Sequence, residues 1–538
     1  MYLCYNKPAA FNFGGWQKEA LPLGNGSIGA KIFGGVQCEL IQFNESSLFS
    51  GSKDIFGSYQ AFGEIYLNFN EELPYSDNSY IRDLDYETAS AMVAFKKSGE
   101  GHNRHYFINR EYNVFVGRIE NTGENLLDFT VTLQSEQNGE VVYENGFAYL
   151  SGSVNANNGI GNDKGEDAND LKYGYVLKVI PEEGQITADE NGITVNDCFR
   201  AVIIMSCKTD FDGCGNPLEK AKENVEKASK LSFNKIFKSH VADCRKYIGK
   251  SQINIGQVEN NATVDFLLKH YSKFRTDIEA LLFDMGRYIV FSSLGGVLPM
   301  NESGIWNSVN HPNGGGIGFD NTQKSNEMKQ VAYFMGMSEL AKTINDIRPS
   351  KAQRVNAFGY EEGNTEKNIP QRKSFISKIV KQNSSSDAFY TIKRAYNAVC
   401  DGNSQKAYKA IKEFVSGFIY NNLFCEDLYA VIAYTATVYS MLIQRSKNYT
   451  EILPCLPEEW SVGSFEDVFC GDYLLSFEWS GGKFKKGKVT ALNDGECALN
   501  YKGKYIGVSD TDSNDIETKF EDKVVSFKIK KGETYLIW

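Results

Sequence analysis

The sequence predicts a multidomain α+β protein. An N-terminal antiparallel β-sandwich spans 1–212, a helical linker 213–262, a helical domain 263–450 and a small C-terminal β-sheet domain 451–538. Three observations predict this order. Up to about residue 212, strand-like runs alternate with Gly/Asn/Asp turns. From Asn216 to about 447, apolar residues recur at helical spacing. Beyond LPCLPEEW the period returns to two. Length agrees, because 538 residues suggest about three or four domains.

The sandwich is read from AKIFGGVQCELIQF, NVFVGRIE, DFTVTLQS, YGYVLKVI and RAVIIMS, whose spacing and turns suit two stacked antiparallel sheets. A polar insertion, NANNGIGNDKGEDANDLKYG (155–174), interrupts them. Its Asp163, Glu166 and Asp167 lack the spacing of a calcium loop, so a solvated loop is expected. Asn216–Pro217 then reads as an N-cap followed by proline at the first helical position. Leu218, Ala221, Val225, Ala228 and Leu231 follow at helical period. A second helix from Ser232 carries Phe233, Ile236, Phe237, Val241 and Tyr247 on one side. The runs DIEALLFDMGRYIVFSS, EMKQVAYFMGMSELAKTI, AFYTIKRAYNAVC, SQKAYKAIKEFV and LYAVIAYTATVYSMLIQ suit further helices. In the C-terminal part Leu475, Phe477 and Trp479 alternate before a Ser-Gly-Gly turn and the returning strand KFKKGKVTAL.

A formal charge of −11 and a pI near 5.3 argue against nucleic acid and an anionic membrane surface as partners. The first residues show no basic start and no apolar core, so no signal peptide is expected. No run of about 18 apolar residues could span a bilayer. The 11 cysteines are odd in number, widely spaced and without C-x-x-C pairs, which reads as reduced thiols in a cytoplasmic protein. Cys207 and Cys214, the closest pair, read as incidental. His102 and His105 sit three apart with no third ligand nearby, so neither a metal site nor a cofactor is expected.

WQKEALPLGNGSIGAKIFGGV (16–36), with several motifs after it, resembles glycoside hydrolase family 95, the inverting α-L-fucosidases and related L-galactosidases, and matches the family's opening motif. LIQFNESSLFSG (40–51) matches its Asn-Glu segment, with Phe49 where a tryptophan is usual. YQAFGEIYLNF (59–69) and YIRDLDYETASAMVAF (80–95) match the next two. SHVADCRKYIG (239–249) resembles the linker helix, and DMGRYIVFSSLGGVLPMNESGIWN (284–307) the entry to the catalytic barrel. EILPCLPEEW (451–460) and GDYLLSFEWSGGKFKKGKV (471–489) resemble the C-terminal domain. Both ends match well and the middle poorly.

The resemblance implies an (α/α)6 barrel for the helical domain, here in reduced form. In the family, a glutamic acid protonates the leaving oxygen. An Asn-x-Asn pair, backed by an aspartate, positions and activates water across a gap of about 6.5–9.5 Å. Counting back from GMSELAKTI places Thr322 and Lys324 at the two asparagine positions, while a shift of a few residues brings in Asn321 or Asn326. A charged lysine only donates and cannot help deprotonate water. Counting back from ILPCLP places Tyr429 at the aspartate position, with Glu426 and Asp427 just before it. These two carboxylates are the candidate catalytic residues, against the alternative that they cap a helix. The histidine-rich general-acid segment has no counterpart, since no histidine follows His311. A twelve-helix barrel needs roughly 200 residues at least, more than 263–450 provides. An incomplete barrel leaves apolar flanks, which points to a homo-oligomer through the helical domain.

Five residues in the best-matching motifs are candidate sugar contacts: Asn25, Asn44, Glu45, Trp306 and Asn307. Each has a structural alternative: turn formation for Asn25 and for Asn44–Glu45, core packing for Trp306, and a structural role for Asn307. Glu302 reads as a surface carboxylate. The partner expected is an oligosaccharide or glycan. Two activities fit: inverting hydrolysis of terminal L-fucosyl or related L-sugar residues, or carbohydrate binding or assembly without catalysis by a pseudoenzyme. A decayed gene product is the third reading.

Overall fold

The computed structural model describes all residues except 1, 52–55, 70–78, 98, 125, 138, 155–170, 257–261, 299, 309–323, 338–339 and 341–386. The calcium-loop candidates Asp163, Glu166 and Asp167, and Asn321 and Thr322, therefore lie outside the described residues. So do the side chains of Lys324 and Asn326. The chain divides into two units. The first comprises 1–245, 291–321 and 339–362, and the second 246–290, 322–338 and 363–538.

In the first unit, two antiparallel sheets of nine and seven strands carry the β-rich sequence. Their inner faces meet through aromatic rings: Phe43 stacks on Tyr175 at 5.0 Å and Phe62 meets Tyr173 edge-on at 5.4 Å. Period two decides which residues go where. On the strand Cys38–Glu45, Glu39, Ile41 and Phe43 turn toward the partner sheet, and Gln42 and Asn44 turn away. Glu39 is buried there and held by Arg104 at 3.2 Å, by Tyr106 Oη at 3.2 Å and by the Gly34 N–H at 2.7 Å.

Nine helices lie among the described residues. In order they are α1 (Phe13–Lys18), α2 (Pro217–Ser229), α3 (Phe233–Tyr247), α4 (Val264–Lys269), α5 (Arg275–Ser293), α6 (Lys324–Phe334), α7 (Asp387–Cys400), α8 (Ser404–Phe418) and α9 (Leu428–Leu442). Asn216 Oδ1 accepts from the Leu218 and Glu219 N–H groups, so α2 starts where the Asn-Pro pair predicts. The sequence reads α2 and α3 as a linker. The structure gives them a packing task as well. Ala221, Val225, Ala228, Phe233 and Ile236 lie on Phe107, Val116, Val176 and Ile204 of the nine-stranded sheet. Covered on both faces, the strand Val114–Asn121 opens with four consecutive buried residues, Val114 to Gly117, where a one-sided strand would alternate.

The second unit holds helices and two sheets of six and five strands. The Ser-Gly-Gly turn joins Tyr473–Ser480 to Lys483–Ala491, with Gly481 and Gly482 both at positive φ (61° and 69°), as a two-residue hairpin requires. Leu475, Phe477 and Trp479 are all buried. In the DMGRY motif, Gly286 lets α5 lie against α9, because a Cβ there would stand 2.0 Å from Thr435 Oγ1. Arg287 pairs with Asp284 at 2.5 Å and donates to the Ile248 and Lys250 carbonyls.

Candidate functional site

The five sugar-contact candidates fall in the first unit, and each is at most 3% exposed. Gln42 and Asn44, on the outward face of their strand, grip the segment 305–307. Asn44 Oδ1 accepts from the Asn307 N–H and from Gln42 Nε2, both at 2.9 Å. Gln42 Nε2 also donates to the Asn307 carbonyl at 2.7 Å, and its Oε1 accepts from Trp16 Nε1 at 2.9 Å. Asn307 Nδ2 donates to the Tyr59 carbonyl at 2.7 Å, and Tyr59 Oη to the Ile305 carbonyl at 2.8 Å. Trp306 Nε1 donates to the Leu23 carbonyl at 2.9 Å.

Lys31 shares this face opposite Gln42, with its ammonium 5.4 Å from the Trp16 ring and 5.7 Å from the Trp306 ring. Burial holds its amine well below the ordinary lysine range. Trp306 thus has no ring face open to solvent. Asn25 Oδ1 accepts from the Ser27 and Ile28 N–H groups at 3.0 and 2.7 Å, which closes the GNGS turn. Its Nδ2 donates to Asn113 Oδ1 at 3.0 Å. Glu45 Oε2 accepts from the Ser47 N–H and hydroxyl at 2.7 and 2.6 Å. Burial raises its carboxyl and the Lys208 charge opposes that. The polar atoms of Asn25, Asn44, Glu45 and Asn307 are thus engaged within this chain, on its backbone or on neighbouring side chains. Of these, Asn44 and Asn307 hold the segment 305–307 on the strand, while Asn25 and Glu45 fix the turns next to them in the chain.

The two catalytic candidates lie in the second unit. Asp427 is buried at the N-cap of α9, where its Oδ1 accepts from the Tyr429 N–H at 3.0 Å. Glu426 is exposed. Tyr429, at the family's aspartate position, is buried in the first turn of α9.

Sequence reasoning passed over a third carboxylate. Glu279, on α5, is fully buried in the second unit. Tyr271 Oη and Tyr408 Oη donate to its Oε1 at 2.7 and 3.0 Å, and Trp460 Nε1 donates to its Oε2 at 2.7 Å. Tyr434 Oη donates to its backbone carbonyl at 2.8 Å. Burial pushes its pKa up to about 7, against these donors and the Arg275 charge. The residue joins α5, α8, α9 and the LPCLPEEW segment at one point. The signal that could have found it is a lone carboxylate inside the apolar run IEALLF.

Among the described residues, no group of three or more His, Cys, Asp or Glu side chains is placed to hold a metal ion. His102 stacks on Phe95, while His105 packs on Phe233 and Phe237. The described cysteines form no disulfide. No helix among the described residues is long and apolar enough to cross a membrane.

Comparison with known proteins identifies the class. Residues 3–56 and 52–214 match the N-terminal domain of glycosyl hydrolase family 65. Residues 232–318 match the family 95 catalytic domain and 444–537 the family 95 C-terminal domain. The architecture is that of a glycoside-hydrolase-type multidomain protein. More narrowly, the chain is similar to glycoside hydrolase family 95 over these two regions. It is 25% identical over 371 residues to alpha-L-fucosidase 2 of Arabidopsis thaliana, and 23% identical over 363 residues to a probable alpha-fucosidase A of Aspergillus niger. Each match takes in 56% of this chain and 44% of the relative, so the chain matches less than half the length of these relatives. A putative kojibiose phosphorylase from the human microbiome shares the fold, with a TM-score of 0.51 at 10% identity over 94% of this chain and 97% of its own.

Proposed function

We propose that this protein engages terminal L-fucosyl or related L-sugar residues of oligosaccharides, on the scaffold of an inverting α-L-fucosidase. The observation that carries this is the pair of family 95 matches, in the helical region and at the C-terminal end, together with two relatives named as fucosidases. The domain division read from the sequence, at 212, 262 and 450, belongs to the same proposal.

A specific observation favours a second reading, carbohydrate binding or assembly without catalysis. Asp427, the better-placed base candidate, already caps α9 with its Oδ1, and Glu426 is exposed beside it. Thr322 and Lys324 count to the places where the family carries its asparagine pair. Without an apposed acid and base, the roughly 10²–10⁴-fold contribution of each proton transfer is lost.

Hydrolysis of 4-nitrophenyl α-L-fucoside and of fucosyl-lactose by the purified protein separates the two readings, with calorimetric titration of L-fucose alongside. Turnover in the folded protein that disappears in Asp427→Asn establishes the hydrolase reading. Binding of fucose without turnover establishes the second. Neither turnover nor binding refutes both.

A further inference from the structure

Two exposed aromatic rings in the C-terminal β-domain are held in fixed positions. Trp538 is 53% exposed, and its backbone pairs with Gly507 through N–H to carbonyl bonds of 3.0 and 3.2 Å. The indole lies against Gly507. A Cβ built there would stand 2.4–2.8 Å from three of its ring atoms, so only glycine lets the ring lie so close. The Nε1, Cε2 and Cζ2 side of the indole is thereby held against backbone, and 53% of the residue stays exposed. Tyr505, two residues before Gly507, is 57% exposed. Its ring is braced edge-on by Phe520 at 5.8 Å, itself 45% exposed, and its hydroxyl sits 3.0 Å from Thr518 Oγ1.

We propose that Trp538 and Tyr505 form a platform that binds the sugar rings of a neutral polysaccharide, a second glycan contact apart from any at the helical domain. A pyranose presents an apolar face of C–H groups flanked by hydroxyls, and such a face stacks on a rigid aromatic plate. Both rings are already ordered, so little conformational freedom is lost when a sugar lands on them. Segment 500–507 carries Lys502 and Lys504, and 517–523 carries Glu517, Glu521 and Asp522 beside Lys519 and Lys523, so the two together give the rim no single sign to attract a polyanion or polycation. A second copy of the chain is a poor occupant. Three half-exposed aromatic side chains offer on the order of 300 Å², well short of the roughly 800 Å² per partner of a stable interface.

The test is affinity electrophoresis of the full chain in native gels containing xyloglucan, arabinogalactan or hydroxyethyl cellulose. Wild type, Trp538→Ala, Tyr505→Ala and Trp538→Phe are run side by side, with thermal unfolding as the check on folding. The proposal expects retardation by at least one polymer. It expects about a tenfold weakening in each alanine variant, partial retention in Trp538→Phe, and unchanged hydrolysis or binding of small fucosides. Migration unaffected by every polymer overturns it, as does retardation that Trp538→Ala leaves intact. Concentration-dependent sedimentation that Trp538→Ala abolishes also overturns it, because the platform would then be a contact between copies.

Discussion

The clamp around Asn44 and Asn307 and the hub around Glu279 both solve the problem of buried polar groups, with different chemistry. The clamp, in the first unit, is built from amides, indole N–H groups and a phenol, and its central groups do not titrate near neutrality. The hub, in the second unit, is a carboxyl poised near neutral pH. Elsewhere in the first unit, His105 and His240 are buried in aromatic surroundings, and burial pushes both down to about 4. The difference teaches that a buried imidazole and a buried carboxyl respond to acid in opposite directions. A buried histidine keeps its unit stable above its unfolded pKa, near 6.5, and that stability is lost as pH falls toward 4. Glu279 does the reverse. Between about 4.5 and 7 the folded state holds a proton that the unfolded chain has released. Its contribution is therefore complete below 4.5 and lost as pH rises through 7.

The largest break in this comparison is Glu279→Ala. It removes the shared acceptor of three buried donors and leaves a cavity, with an expected loss of about 4 kcal/mol from the second unit. Denaturant unfolding followed through Trp460 and Trp479 reads it, and a loss under about 1 kcal/mol would reduce the hub to incidental packing. Glu279→Gln sharpens the comparison. Wild type should lose up to about 3 kcal/mol of second-unit stability relative to this variant between pH 4.5 and 8. Parallel pH profiles would show that Glu279 does not titrate in that range. Next comes Asn44→Ala, which strips the Asn307 N–H and Gln42 Nε2 of an acceptor, at about 2 kcal/mol. Because amides do not titrate, hydrogen exchange of 300–308, corrected for intrinsic rates, should rise by the same factor at pH 5 and pH 8. The smallest effect belongs to Asp427→Ala, about 1 kcal/mol for a lost N-cap, with Glu426→Ala within about 0.5 kcal/mol. Equal effects of the two would contradict the capping geometry.

Much of the secondary structure was legible because local periodicity decides it. The Asn216–Pro217 start of α2 and the Gly481–Gly482 hairpin are local chemistry, and both stand where the sequence places them. The site was less legible because its partners are remote in sequence. Asn44 and Asn307 read as sugar contacts through the family resemblance, and polar residues on an outward strand face read naturally as open to a ligand. The structure brings the segment 305–307 across that face, a partner that no window on the strand contains. Glu279 escaped notice for the same reason. Its Tyr408 and Trp460 partners lie 129 and 181 residues away, so the sequence shows only a lone charge in an apolar helix.

The bond from the Asn307 N–H to Asn44 spans 263 residues. A ribosome adding about 5–20 residues per second needs roughly 15–50 s to travel from one to the other. Through that interval the strand holding Gln42 and Asn44 lacks its covering segment, and a face that ends up sealed is left open on the nascent chain. Slowed synthesis between these two residues, or loss of a chaperone that shields exposed strands, is therefore the circumstance in which this protein would be most prone to misassemble.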